Sequence, residues 1–151
     1  RWQFYTDQVM GGVSSGKASI KFDSEGAYLR LEGSVSTANN GGFIQIRTYI
    51  SDGLKSAEGI LLKVRGNGEG YYMHVNTSET ISVPQQYRFY YQAYFPTYKE
   101  WNEVRLPFSA FKRSKSQMRK KITGNEIRTI GLLAFGKDHE ALLEIKYLSF
   151  Y

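Results

Sequence analysis

Residues 7 to 16, DQVMGGVSSG, place a carboxylate, a methionine and three glycines within ten positions. Glycine costs backbone entropy, so this density points to a positive φ, a tight bend or a close backbone approach. In such a turn Asp7 accepts hydrogen bonds from nearby amides, or pairs with Arg47 or Arg65. A competing reading groups Asp7 with Asn40 and Asn67 as loop oxygens for calcium or sugar hydroxyls. Calcium takes about six to eight oxygens, and no dense Asp/Asn loop supplies them.

Catalytic chemistry finds little footing. The two histidines, His74 and His139, are far apart and show no zinc-binding spacing. Cysteine is absent, which removes thiolate ligands, a cysteine nucleophile and disulfides. No serine stands in a G-x-S-x-G elbow, and GNGEG at 66 to 70 lacks the lysine and the strand-to-helix context of a phosphate loop. Nucleophile, base and oxyanion donors do not come together, so no catalytic residue, metal or cofactor is assigned.

The 151 residues, 41% hydrophobic, suffice for one core, and residues 1 to 151 are read as one domain. The net charge of +6 has a local origin. Lys112, Arg113, Lys115, Arg119, Lys120 and Lys121 equal the whole excess of 20 bases over 14 acids. The rest is balanced, which predicts one basic segment rather than a basic face. With Phe108, Phe111, Met118 and Ile122 near helical spacing, residues 112–121 read as an amphipathic helix on an anionic membrane surface or acidic partner. The other reading, favoured by Ser114 and Ser116, is a solvated loop. Nucleic acid is a poor partner because aromatics that would stack bases lie in other segments. No apolar run reaches the roughly 18 residues that cross a bilayer, and the compartment is left open.

Positioning falls to strands. Segments 18–22, 27–35, 42–50, 59–66, 71–77, 88–95, 103–108, 127–135 and 141–150 are short and rich in β-branched and aromatic residues. Eight or nine strands with little helix predict an all-β, single-domain sandwich or jelly roll. Alternation sends Phe89, Tyr91, Ala93, Phe95, Met73, Val75, Ile44 and Ile46 to the core. Opposite them stand Gln45, Arg47, Tyr72, His74, Asn76, Arg88, Tyr90, Gln92 and Tyr94. If their three strands share a sheet, its outer face is aromatic and hydrogen-bonding, suited to a sugar or a protein partner. The plainer alternative is that tyrosines half-cover an exposed sheet.

Several spaced motifs together resemble the complex I intermediate-associated protein 30 family. They are Trp2 with Asp7-Gln8-Val9-Met10-Gly11-Gly12, Ser14 and Gly16; Asn40-Gly41-Gly42-Phe43 with Arg47; Val64-Arg65-Gly66-Asn67-Gly68 with Tyr71; Tyr91-Gln92-Ala93 to Phe95, then Trp101, Leu106-Pro107-Phe108 and Phe111; and Ile130-Gly131-Leu132 with Leu143-Glu144-Ile145. Asn67 stands where that family usually has Asp. The resemblance implies a galactose-binding-like jelly roll. It also implies a non-catalytic assembly or scaffolding factor for a membrane-associated respiratory or photosynthetic complex, with protein subunits as partners. A carbohydrate-binding module is the alternative, with a glycan as ligand. In this light Trp2 and Met10 pack at the end of the sandwich, Gly11 and Gly12 turn the chain, and Arg47 and Arg65 serve as internal clamps or line a cleft.

Overall fold

A computed structural model describes residues 2–84 and 87–151. Eleven antiparallel strands are found among them: β1 Gln3–Thr6, β2 Ser15–Asp23, β3 Gly26–Val35, β4 Phe43–Tyr49, β5 Gly59–Gly66, β6 Gly70–Thr77, β7 Tyr91–Pro96, β8 Asn102–Pro107, β9 Lys112–Arg113, β10 Ile127–Phe135 and β11 His139–Phe150. They form a six-stranded sheet, β1-β4-β10-β6-β7-β9, and a five-stranded sheet, β2-β3-β11-β5-β8. The all-β sandwich expected from alternation is the fold observed.

All nine expected strands are present. One starts late: residues 88–90 lie outside β7, because Arg88 adopts φ 55° and breaks the extended run. Short β1 and two-residue β9 were not anticipated, since too few residues repeat for alternation to register. The core face holds Ile44 and Ile46 of β4, Met73 and Val75 of β6, and Tyr91, Ala93 and Phe95 of β7. Opposite lie Leu31, Leu62, Val64, Leu143 and Ile145 of the second sheet. Phe89 is only partly buried against this cluster. The hydroxyl of Tyr71 crosses the sandwich, donating to Asn67 Oδ1 at 2.7 Å and accepting from the Leu142 amide at 2.9 Å. Burial pushes this phenol up to about 12.

The glycine-rich opening is explained by one carboxylate. Asp7 is fully buried and accepts hydrogen bonds from the amides of Ser14 (2.9 Å), Gly42 (2.5 Å) and Phe43 (3.3 Å) and from the Ser14 hydroxyl (2.6 Å). Ser14 Oγ in turn accepts from the Ser36 amide at 2.9 Å. The cluster therefore ties the β1–β2 connection to the β3–β4 connection, both of which pass between the sheets. A Cβ on Gly12 or Gly41 would collide with the Asp7 carboxyl, and Gly11, at φ 86°, ends the 3-10 turn Asp7–Met10. Burial alone would raise the Asp7 pKa; the four hydrogen bonds outweigh it and hold it below the usual carboxylate range.

One expectation about this region is corrected, and two open alternatives are decided. Met10 does not pack at the end of the sandwich: it is 48% exposed, because the turn that buries Asp7 directs Met10 outward. Trp2 does pack against the core. Asp7 binds amides and a hydroxyl, not an arginine. Nor does a loop site assemble from Asp7, Asn40 and Asn67. The Asp7 oxygens are filled, while Asn67 accepts from the Tyr71 hydroxyl and donates to the Glu140 carbonyl.

Replacing Asp7 with Asn sets an amide NH2 against N–H donors in a dry site. It should lower unfolding stability by about 2–4 kcal/mol, read as a fall in urea midpoint at unchanged slope. Because the folded pKa is depressed, Asp7's contribution is present above the unfolded carboxyl pKa and is lost as pH falls through the folded value. The Asn variant should lack that part of the acid dependence.

Candidate functional site

Strand register builds the outer face of the six-stranded sheet. Arg47 of β4 pairs with Gly131 of β10, Gly131 with His74 of β6, His74 with Gln92 of β7, and Gln92 with Lys112 of β9. Four strand spacings make this row roughly 19 Å long. Alongside it run Gln45, Leu133, Tyr72 and Tyr94, and on the other flank Thr129 and Asn76. The three strands expected to share a sheet do so, with β10 between β4 and β6.

The rings pack on one another. His74 stacks on Tyr90 with centroids 4.0 Å apart and planes 12° apart, and its Nε2 lies 2.7 Å from Gln92 Oε1. Tyr72 meets Tyr94 at 67° and Phe135 at 89°, while Phe135 meets His74 at 71°. The Arg47 guanidinium lies 4.8 Å from the centre of the Tyr5 ring. Burial first, and then the positive charge of Arg47, pull the His74 imidazole down to about 4 against the opposing hydrogen bond from Gln92. His74 is thus neutral at pH 7.

Not every expected residue stands free on this face. Gln45 is buried, because its side chain lies over Gly131, where any Cβ would strike its amide. Arg88 sits in the irregular segment before β7 and is exposed. Tyr5 and Phe135 join the face although the sequence reading passed them over. Phe135 follows the same alternation as Gly131 and Leu133. That signal is hidden because β10 is apolar on both sides, as suits a central strand.

Charge is sorted between the two sheets. None of the six strands β1, β4, β6, β7, β9 and β10 contains Asp or Glu, whereas the five-stranded sheet holds Asp23, Glu32, Glu103, Glu140 and Glu144. On that second sheet Glu144 is buried between Arg30 Nε at 2.6 Å and Arg65 Nε at 2.5 Å. Arg65 also lies 4.3 Å from the Trp101 ring centre and 5.2 Å from that of Tyr28. Hydrogen bonding to Glu144, opposed by desolvation, raises the pKa of both arginines. Arg65 is therefore a clamp on the outside of the second sheet.

The basic segment is a loop with a short strand. Phe111, Met118 and Ile122, the apolar side of the supposed amphipathic helix, are buried in the core, and Arg113 Nη1 donates to the carbonyls of Ser116 and Met118. Tyr91 Oη anchors the loop through the Arg119 carbonyl at 2.6 Å. Its charge is not isolated, as the balanced remainder of the sequence suggested. Pairing of β9 with β7 attaches the segment to the edge of the acid-free sheet and so makes one basic face. His74 and His139 stand on different sheets, and among the described residues no helix is long and apolar enough to cross a membrane.

A family model for complex I intermediate-associated protein 30 matches residues 1–145, and the chain belongs to that family. No curated protein sequence matches it. Among solved structures, it is similar to a family 11 carbohydrate-binding module from Clostridium thermocellum, in complex with a β-1,3-1,4-mixed-linked tetrasaccharide. That match has 16% identity and a TM-score of 0.70 over 95% of this chain and 87% of that one. A solution structure of CtCBM11 gives 12% identity and a TM-score of 0.71 over 99% and 87%. The family 30 module of the Clostridium thermocellum cellulase Cel9D-Cel44B gives 7% and 0.60 over 92% and 91%. The fold shared with these modules is the jelly-roll sandwich.

The depressed His74 pKa sets a pH window distinct from that of Asp7. An unfolded chain takes up its imidazole proton near pH 6.5 and the folded one near pH 4, so stability should fall as pH drops between these values. His74→Gln should flatten the urea midpoint across this window. The His74 ring signals in NMR should titrate well below those of an ordinary histidine.

Proposed function

We propose that this is a non-catalytic binding domain that serves as an assembly or scaffolding factor for a membrane-associated protein complex, working through the outer face of the six-stranded sheet. The observation that carries this is the face itself: tyrosines, His74, Gln92 and Arg47 packed into a fixed, acid-free surface. Protein interfaces favour Tyr and Arg, which offer broad contact area with directional bonds at low entropy cost. The ring of Tyr72 stands at a steep angle to those of Tyr94 and Phe135, and His74 covers one side of Tyr90. They make a relief that another protein surface can key into rather than a coplanar shelf. Family membership supports the assembly role.

A second reading, a carbohydrate-binding module, is favoured by the polar row of Arg47, His74 and Gln92 beside aromatic rings. Such a row can exchange hydrogen bonds with sugar hydroxyls, and the similar structures are carbohydrate-binding modules. The face carries no carboxylate pair, so hydrolysis of a bound glycan is not part of this reading.

Affinity purification from the source organism, run beside a glycan array, separates the two. The assembly reading expects subunits of a membrane complex to co-purify with the wild-type domain, to be lost with Tyr94→Ala, and the array to stay silent. Tyr94 is 57% exposed, so that variant should fold. Retention on polysaccharide that Tyr94→Ala abolishes, with no subunit recovered, would overturn the assembly role in favour of the module.

A further inference from the structure

The charge sorting says more about the partner than the fold does. On the five-stranded sheet cations meet acids within the chain: Glu144 with Arg30 and Arg65, and Lys146 with Asp23 at 2.8 Å. On the six-stranded sheet the strands offer no acid at all. Lys112 stands on β9 in line with Gln92 and His74, Arg88 is exposed just before β7, and Lys115, Lys120 and Lys121 are exposed in the adjoining loop. Two cations at the margins are already met, Arg119 by Glu126 and Lys137 by Glu69. The loop is well anchored by Met118 and Ile122, so its cations are presented without the entropy cost of ordering a floppy tail.

We infer that the segment this face docks is an acidic stretch of a protein partner, lying along the β7–β9 edge with its carboxylates on Arg88, Lys112 and the 115–121 loop. The inference rests on the assembly reading above and adds the chemistry of the partner. An excess of one sign, met only at its margins by Glu69, Glu79 and Glu126, attracts the opposite charge and repels basic surfaces, which gives both fast encounter and selectivity. The ring relief beside it supplies apolar contact that a purely ionic encounter lacks. An acidic polysaccharide shares the charge but meets Tyr72 upright between Tyr94 and Phe135 rather than a flat shelf.

The test uses the intact domain and three immobilised probes: poly-L-glutamate, alginate, and vesicles containing phosphatidylglycerol. Two double variants remove equal charge from opposite sheets, Arg88→Gln with Lys112→Gln and Lys17→Gln with Lys63→Gln. The inference expects poly-L-glutamate to be held most strongly and released as salt rises. It expects roughly fivefold weaker binding for the first variant and little change for the second. Equal loss in both variants, or no retention at 0.15 M salt by a wild-type domain that still co-purifies its partner, would overturn the inference while leaving the assembly role intact. Tighter capture by alginate or by vesicles would likewise overturn it, reassigning the face to an acidic glycan or a lipid surface.

Discussion

One margin of the aromatic face depends on a carboxylate that never touches it. Asp7 is fully buried, meets no cation among the described residues and is stabilised by three amides and a hydroxyl. Its partners belong to two different connections between the sheets, so one charge fixes where β1 ends and where β4 begins. Those strands present Tyr5, Gln45 and Arg47, one margin of the aromatic face. Gly12 and Gly41 are required because the carboxylate occupies the space a side chain would need. A buried charge of this kind is costly to disturb, so it holds the two connections in one geometry.

The two sheets use polar side chains in opposite ways. On the five-stranded sheet, Arg30, Arg65 and Lys146 are met by Glu144 and Asp23, and Arg65 and Lys146 lie over the rings of Tyr28 and Trp101. On the six-stranded sheet the rings pair among themselves while the cations along its edge lack acids on neighbouring strands. Neutral His74 fits this scheme as a stacking and hydrogen-bonding group.

Much of the architecture was legible because period-two alternation is a direct imprint of the pleat. It placed Ile44, Ile46, Met73, Val75, Tyr91, Ala93 and Phe95 in the core without knowledge of strand order. The face was legible in composition but not in arrangement. Gln45 is buried because Gly131 lies beside it across the register, a fact of pairing that no local pattern contains. Phe135 escaped notice because its strand is apolar on both sides. The family resemblance puts Met10 inside, whereas the turn around Asp7 decides its direction. The sorting of charge emerges only when the strands are assigned to sheets: the same residues that looked balanced along the chain are unbalanced in space.

Amide hydrogen exchange of the domain, free and saturated with the partner it captures, tests most directly whether binding occurs on the acid-free face. The account predicts added protection in β6, β7 and the 112–121 segment, with the five-stranded sheet unchanged. Protection confined to β2, β3, β5 and β8, with the Tyr90–Tyr94 stretch exchanging as before, would contradict it.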